Sequence, residues 1–195
     1  MKRFVYISII SCLMSFSFLN TAQSQLHFGL QSGIVFSKAI MTSHDNNLWE
    51  LDYAYSGPNL NYVMTNATNL YVSYSFTPLI SLTLEPGYIQ KSNELNGGLT
   101  YIQLPVLADY NVIDRLHLTA GPELNFLLNN DSQNSYEELD MALQLGAYYG
   151  ASSTFDIGFK YSRSFNKFLK DDIVSSGEDI NFYHQYFQFF TRYKF

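Results

Sequence analysis

The sequence predicts an all-β fold, an eight-stranded antiparallel up-and-down transmembrane β-barrel, on three observations. Apolar and polar residues alternate with period 2 over runs of about ten residues, the signal of strands buried on one face. The connections between runs are short and long by turns, the pattern of barrels that cross an outer membrane. Charged residues make up 14% of the 195-residue chain and aromatic residues 17%, whereas a soluble domain carries about 25% charged residues. A surface facing water needs charge; a surface facing acyl chains does not. The hydrophobic fraction is 47%, yet the mean hydropathy is only -0.08, so apolar residues are interleaved with polar ones rather than gathered into blocks.

The first residues read as an export signal. Lys2 and Arg3 give a basic start, Phe4 to Leu19 is an apolar run, and Ala22 and Ser24 are the small residues that cleavage before Gln25 requires. The run is shorter than the ~20 residues of a spanning helix, and no later stretch is long and apolar enough for one. The expected organisation is a signal peptide over residues 1–24 and a barrel domain over 25–195. The one cysteine, Cys12, lies in the apolar run. Ile9-Ile10-Ser11-Cys12 looks like a lipid-attachment box, but the apolar run continues through Leu13 to Leu19 instead of ending at the cysteine. The mature chain is then cysteine-free, which excludes disulfides, thiolate metal sites and a cysteine nucleophile. Loss of Lys2 and Arg3 leaves nine basic residues against 17 acidic ones. An acidic chain without basic clusters argues against nucleic-acid binding.

Each strand is justified by its own alternation. Leu26, Phe28, Leu30, Ile34 and Phe36 share one phase, against His27, Gly29, Gln31 and Gly33. Leu70, Val72, Tyr74 and Phe76 form the second run, and Thr77-Pro78-Leu79 turns the chain. The third sets Ile80, Leu82, Leu84, Pro86 and Tyr88 against Thr83, Glu85 and Gly87. The fourth, Leu99 to Tyr110, has Ile102, Leu104, Val106, Ala108 and Tyr110 in phase, and a short turn at Asn111–Asp114 follows. The fifth sets Leu116, Leu118, Ala120, Pro122, Leu124, Phe126 and Leu128 against His117, Thr119, Gly121, Glu123 and Asn125. The sixth sets Leu139, Met141, Leu143, Leu145, Ala147 and Tyr149 against Asp140, Gln144, Gly146 and Tyr148, and Gly150–Ser153 turns. The seventh sets Phe155, Ile157, Phe159 and Tyr161 against Asp156, Gly158, Lys160 and Ser162. The eighth, Tyr183 to Phe195, sets Tyr183, Phe187, Phe189, Tyr193 and Phe195 against His184, Gln188, Arg192 and Lys194, with Tyr186 and Phe190 interrupting the polar phase. Long polar connections are expected at residues 37–67, 91–98, 129–138 and 166–181.

Alternation does not say which face is inside, because a soluble eight-stranded barrel has the same period with its greasy face inward. Three features orient this one. The polar phase is rich in Gly, Ser, Thr, Asn and Gln, too sparse in charge for a water-facing exterior. Its charges carry both signs, Glu85, Glu123, Asp140 and Asp156 against Lys160, Arg192 and Lys194, so a narrow lumen can pair them as an ionic network. Aromatic residues collect at strand ends: Tyr88, Tyr101, Tyr110, Tyr149, Tyr161, Tyr193 and Phe195 are expected in the girdles at the membrane interfaces.

Candidate chemistry is thin. His27, His117 and His184 fall on the polar phase, where they either gather as an acid/base or metal cluster or serve separately in the lumen's hydrogen bonds. His44 lies in a polar loop beside Asp45. Glu85 and Glu123 read either as paired carboxylates for acid/base work or as salt-bridge partners of Arg192 and Lys160. No phosphate loop, nucleophile elbow or metal motif occurs, and no cofactor is expected. Asp131, Glu137, Glu138, Asp171, Asp172, Glu178 and Asp179 make the loops acidic: a solvated rim, or else a docking surface or a divalent-cation contact with lipopolysaccharide. Trp49, Tyr53 and Tyr55 are loop aromatics that either anchor a protein partner or continue a strand.

The chain also resembles a known family. Glu85-Pro86-Gly87-Tyr88-Ile89-Gln90-Lys91, Tyr101-Ile102-Gln103-Leu104-Pro105 and Ala120-Gly121-Pro122 resemble the E-x-x-Y-x-Q-K, Y-[IL]-x-[IL]-P and A-G-P elements of the PorT-like outer-membrane β-barrel family of Bacteroidetes. Pro58 to Met64 fits that pattern poorly. The C-terminal Tyr193-Lys194-Phe195 resembles the sorting signal, carried by Tyr193 and Phe195, that the barrel-assembly machinery reads. The resemblance implies an OmpA- or OmpX-type barrel. Three roles are carried forward: a non-enzymatic barrel that stabilises the outer membrane or presents loops for binding, an accessory subunit of a type IX secretion or gliding machine, and a lipid-modifying enzyme. Deacylases among barrel enzymes place His and Ser two apart on one strand. Here His117 is followed by Thr119 and His184 by Tyr186, so an enzyme is not expected.

Overall fold

The computed structural model describes residues 25–43, 61–91, 98–128, 136–169 and 180–195. The expected signal peptide, His44 and the loop aromatics Trp49, Tyr53 and Tyr55 lie outside these residues, as do Asp131, Asp171, Asp172, Glu178 and Asp179. The strands are β1 (Leu26–Ser43), β2 (Val63–Ser75), β3 (Ile80–Leu84), β4 (Gly87–Lys91), β5 (Leu99–Ile113), β6 (Leu116–Leu127), β7 (Leu139–Gly150), β8 (Phe155–Ser164) and β9 (Ile180–Lys194). All are paired antiparallel, and β3 and β4 are two halves of one stave. Pro86, which has no N–H to donate, marks the break. The ladder continues through the kink: the Glu85 N–H donates to the Pro105 carbonyl at 3.1 Å, and the Pro86 carbonyl accepts from the Leu70 N–H at 2.9 Å. Eight staves result. The first stave pairs with the last as well as with the second, so the sheet closes without an edge, as lipid demands of any spanning sheet.

The stagger of the barrel follows from the register. Stepping between directly opposed residues, the path runs Leu26, Tyr74, Leu82, Ala108, Ala120, Leu145, Tyr161 and Phe187, and returns to the first stave at Phe36. It comes back ten residues further along, a shear of ten. With a rise of about 3.3 Å per residue and about 4.8 Å between strands, the staves tilt about 40°. The short turns and the described C-terminus lie at one end of the barrel and the long connections at the other.

The greasy phase faces outward. Leu118, Leu143, Phe159 and Phe189 are 48%, 51%, 53% and 61% exposed, while Glu85, Glu123 and Asp140 are fully buried inside. A soluble barrel would show the reverse. Tyr74, Tyr110, Tyr149 and Tyr193 ring the short-turn end on the outside, where phenols meet headgroups.

Four expectations are corrected. Tyr101, placed by sequence in an interfacial girdle, is buried in the lumen, because it shares the inward phase of Gln103 and Asp109. The first long connection is shorter than 37–67, since β1 runs to Ser43 and β2 starts at Val63; buried Ser37 and Ala39 extend the inward phase of Val35 in residues too small or polar to announce it. The last strand starts at Ile180 rather than Tyr183. Asn111 to Ile113 belong to β5, and the turn narrows to Asp114-Arg115, with Arg115 at φ 70°.

Candidate functional site in the barrel lumen

The inward phase builds a polar column in layers. At the short-turn end the Asp109 carboxylate accepts from the Tyr148 hydroxyl at 2.5 Å and meets the His117 Nδ1 at 2.8 Å. The His117 ring stacks on Tyr148 with centroids 4.4 Å apart. Beside them Lys194 donates to Asp156 at 2.7 Å. These groups line a cavity of about 590 Å³ that also includes His27, Tyr71 and Arg192.

The middle layer is centred on Glu85. Its Oε1 accepts from the Arg192 Nη2 at 2.7 Å, and its Oε2 from Lys160 and from Gln31. Arg192 also donates to the Gln31 Oε1 at 3.1 Å, and its guanidinium lies over the rings of Tyr71 (4.3 Å) and Tyr148 (4.6 Å). Both charges are thus satisfied on several sides, the condition under which a buried ion pair is tolerated.

Above it, the Glu123 Oε2 accepts from the Tyr186 hydroxyl at 2.6 Å, the Gln144 amide at 2.8 Å and the Ser162 hydroxyl at 3.0 Å. Lys91 then bridges upward, donating to the Asp140 Oδ2 at 2.7 Å and lying 3.6 Å from the Glu123 Oε1. His184 sits 3.4 Å from Asp140. At the long-loop end an apolar cap covers the column. Phe168 stacks on His184 with centroids 4.0 Å apart, Tyr136 stacks on Phe168, and Tyr136 bridges to Leu169. Burial pushes the Tyr136 hydroxyl above its ordinary pKa. Val35, Ala39, Ala67, Ile89, Leu99 and Leu127 complete the cap from the walls.

All seven ionic residues named from the sequence therefore project into the lumen. Glu85 is joined to Lys160 and Arg192, and Asp156 to Lys194. Glu123 and Asp140 take their cation from Lys91, which the sequence reading missed. Its signal was present: Lys91 shares the inward phase of Glu85 and Ile89. Asp109 was missed although it lies in phase with Gln103. The histidines are not gathered: His27 and His117 line the short-turn cavity, whereas His184 lies under the cap. Glu85 and Glu123 each hold their own donors, Arg192, Lys160 and Gln31 for the one and Tyr186, Gln144 and Ser162 for the other.

The interruptions at Tyr186 and Phe190 also resolve. Phe190 points inward and is opposed on both sides by glycine, Gly33 and Gly158. A Cβ on Gly158 would fall 2.7 Å from the Phe190 ring and 2.6 Å from the Tyr148 Cβ, so the wall is thinned where the ring needs room. Tyr186 delivers its hydroxyl to Glu123.

A family model described as outer membrane protein beta-barrel domain matches residues 20–170. Among solved structures, Neisserial surface protein A is similar at 12% identity, covering 86% of this chain and 97% of its own, with a TM-score of 0.50. The attachment invasion locus protein Ail of Yersinia pestis is similar at 12% identity, covering 88% and 99%, with a TM-score of 0.47. At such identities the likeness concerns the fold alone. No functionally curated protein matches the chain.

Proposed function

The chain belongs to the outer membrane protein beta-barrel domain family, and from that premise we propose a non-enzymatic barrel that serves the outer membrane structurally or by binding at its surface loops. One observation carries this reading: beyond the short-turn cavity the lumen is crossed by its own ion pairs, and it is closed at the long-loop end by Phe168 and Tyr136. Such a barrel offers no water-filled path of porin width, and its carboxylates are already engaged by cations and hydroxyls. The test is conductance in planar bilayers together with lipid mass spectrometry on a deletion strain. No porin-sized current steps and an unchanged lipid A profile are expected. Large steps, or a lipid A species that disappears with the gene, would overturn the proposal. Recovery from membranes in a stable complex with secretion components would replace it with the accessory-subunit role.

The same reading includes export through cleavage of residues 1–24 and assembly by the barrel machinery. Tyr193 and Phe195 are exposed at 51% and 66% at the end of the last strand, which suits a signal read from outside the closing barrel. It also includes a PorT-like affiliation, supported by the motif residues Glu85 and Lys91 both anchoring the lumen network.

A further inference from the structure

Charge is distributed between the two faces of the wall with a bias. Among the described strand residues every carboxylate points inward. Two ionised side chains point outward, Lys38 on β1 and Arg163 on β8. Lys38 alternates with buried Ser37 and Ala39, and Arg163 with buried Ser162 and Ser164. Both lie near the long-loop end of their strands. They share one row, Lys38 opposite Gln185 and Gln185 opposite Arg163, which sets their Cα atoms about 10 Å apart at the usual strand spacing. Among the described residues neither forms a salt bridge with a carboxylate.

The row is organised. The Lys38 ammonium lies 4.9 Å from the centroid of the Tyr62 ring. The Tyr62 hydroxyl accepts from the Gln185 Nε2 at 3.0 Å. Towards the membrane centre lie Phe187, 6.0 Å from the Tyr62 ring and 5.0 Å from the Tyr161 ring. Lys38 thus lies over the Tyr62 ring, and Arg163 stands two residues beyond Tyr161 on the outward face of β8. Facing hydrocarbon, such cations are costly; facing an anionic headgroup layer, they are favoured. Among the described strand residues no carboxylate faces outward beside these two cations to repel an anion.

We propose that Lys38 and Arg163 form a binding strip for the phosphorylated disaccharide headgroup of the outer-leaflet glycolipid, lipid A. The long loops of an outer-membrane barrel face outward, so this strip lies at the outer leaflet, and the inference rests on that orientation. Two flexible cations about 10 Å apart can converge on one phosphate or take two phosphates of a single sugar pair. The rings of Tyr62, Phe187 and Tyr161 receive the first segments of the acyl chains.

The experiment compares the folded full barrel, in phosphatidylcholine nanodiscs doped with diphosphorylated lipid A, with Lys38→Gln/Arg163→Gln. Native mass spectrometry counts lipid A retained per barrel. The wild type is expected to retain it with at least tenfold higher affinity than the double variant. Dephosphorylated lipid A should bind the two alike. Lys38→Arg/Arg163→Lys should behave as wild type, as should Arg115→Gln at the opposite end. Equal retention by wild type and Lys38→Gln/Arg163→Gln, or retention indifferent to the phosphates, would overturn the proposal. Gel mobility with and without boiling is read on each sample. A shift lost from the wild type would sink the barrel reading itself, whereas a shift kept by all variants confines any failure to the strip.

Discussion

At the scale of single residues, burial of charge makes the lumen intolerant of partial deletions. Arg192 donates to Glu85 and Gln31 and lies over two aromatic rings at 2% exposure. Arg192→Met keeps much of the volume but leaves Glu85 with Lys160 as its one cation among the described residues, beside the Gln31 amide. Removing one partner of a buried pair costs about 3–5 kcal/mol. A large drop in the urea midpoint of the barrel in micelles, followed by circular dichroism, is therefore expected. Glu85→Gln added to it should cost less than the two single changes summed, because the second deletion removes the charge that the first orphaned. Unchanged midpoints would mean that water or lipid headgroups already satisfy Glu85. A second expectation concerns volume. Gly158→Ala puts a methyl against Tyr148 and Phe190, and overpacking of this kind costs about 1–3 kcal/mol. Unfolding at the wild-type urea concentration would show that the Phe190 ring has room to spare. Much of this chemistry was legible in the sequence, since phase alone placed Glu85, Glu123, Asp140, Asp156, Lys160, Arg192 and Lys194 on one face. The pairing was not, because register joins residues as far apart in the chain as Glu85 and Arg192, and no local pattern encodes it. Tyr101 was misread for the opposite reason: residue type outweighed phase.

At the scale of elements, the kinked stave and the capping loop are where local sequence and global need diverge. Pro86 splits one stave into β3 and β4, and the outward alternation of Leu82, Leu84 and Tyr88 carries across the split, which is why the eight-fold count survived a proline. The cap could not be read at all. Phe168 and Leu169 belong to a connection expected to be polar and solvated, and only closure of the barrel brings Phe168 onto His184 and Tyr136. Among the described residues Phe168 is the ring that both His184 and Tyr136 stack on, so the lid is sensitive to its truncation. Phe168→Ala removes a ring buried to 1% exposure, and such losses cost about 3–5 kcal/mol when the site cannot collapse. The upper lumen should then hydrate. Faster amide exchange is expected at Tyr186 and Gln188 on β9 and at Gln103 on β5, with the short-turn end unchanged. Uniform exchange across the barrel would indicate that the cap does not shield the column, and that the Glu123–Lys91–Asp140 layer alone keeps water out.

At the scale of the whole molecule, closure decides everything else, because both the dry exterior and the paired interior presuppose a seam between the first and last strands. That seam runs from Gly29 opposite Lys194 to Ser43 opposite Ile180. Its register fixes the shear of ten, the tilt, and which inward residues share a layer. A slip of two residues would keep the outward apolar phase outside and still separate Arg192 from Gln31, so hydrophobic alternation by itself cannot select it. The paired charges and the glycines opposite Phe190 supply the selection that alternation lacks. The seam can be tested by chemistry, since a chain expressed from Gln25 contains no cysteine. Ile34 and Phe189 are directly opposed across it, both facing outward. Opposed strand residues have Cα atoms about 4.5–5.5 Å apart, within disulfide range. Ile34→Cys/Phe189→Cys in the folded barrel should therefore crosslink under a membrane-permeant oxidant, and the product should stay compact on boiling until reduced. Ile34→Cys/Phe187→Cys sits two residues off register, beyond about 7 Å, and should not crosslink. Efficient crosslinking of the offset pair, with none of the opposed pair, would shift the seam and with it every layer of the lumen.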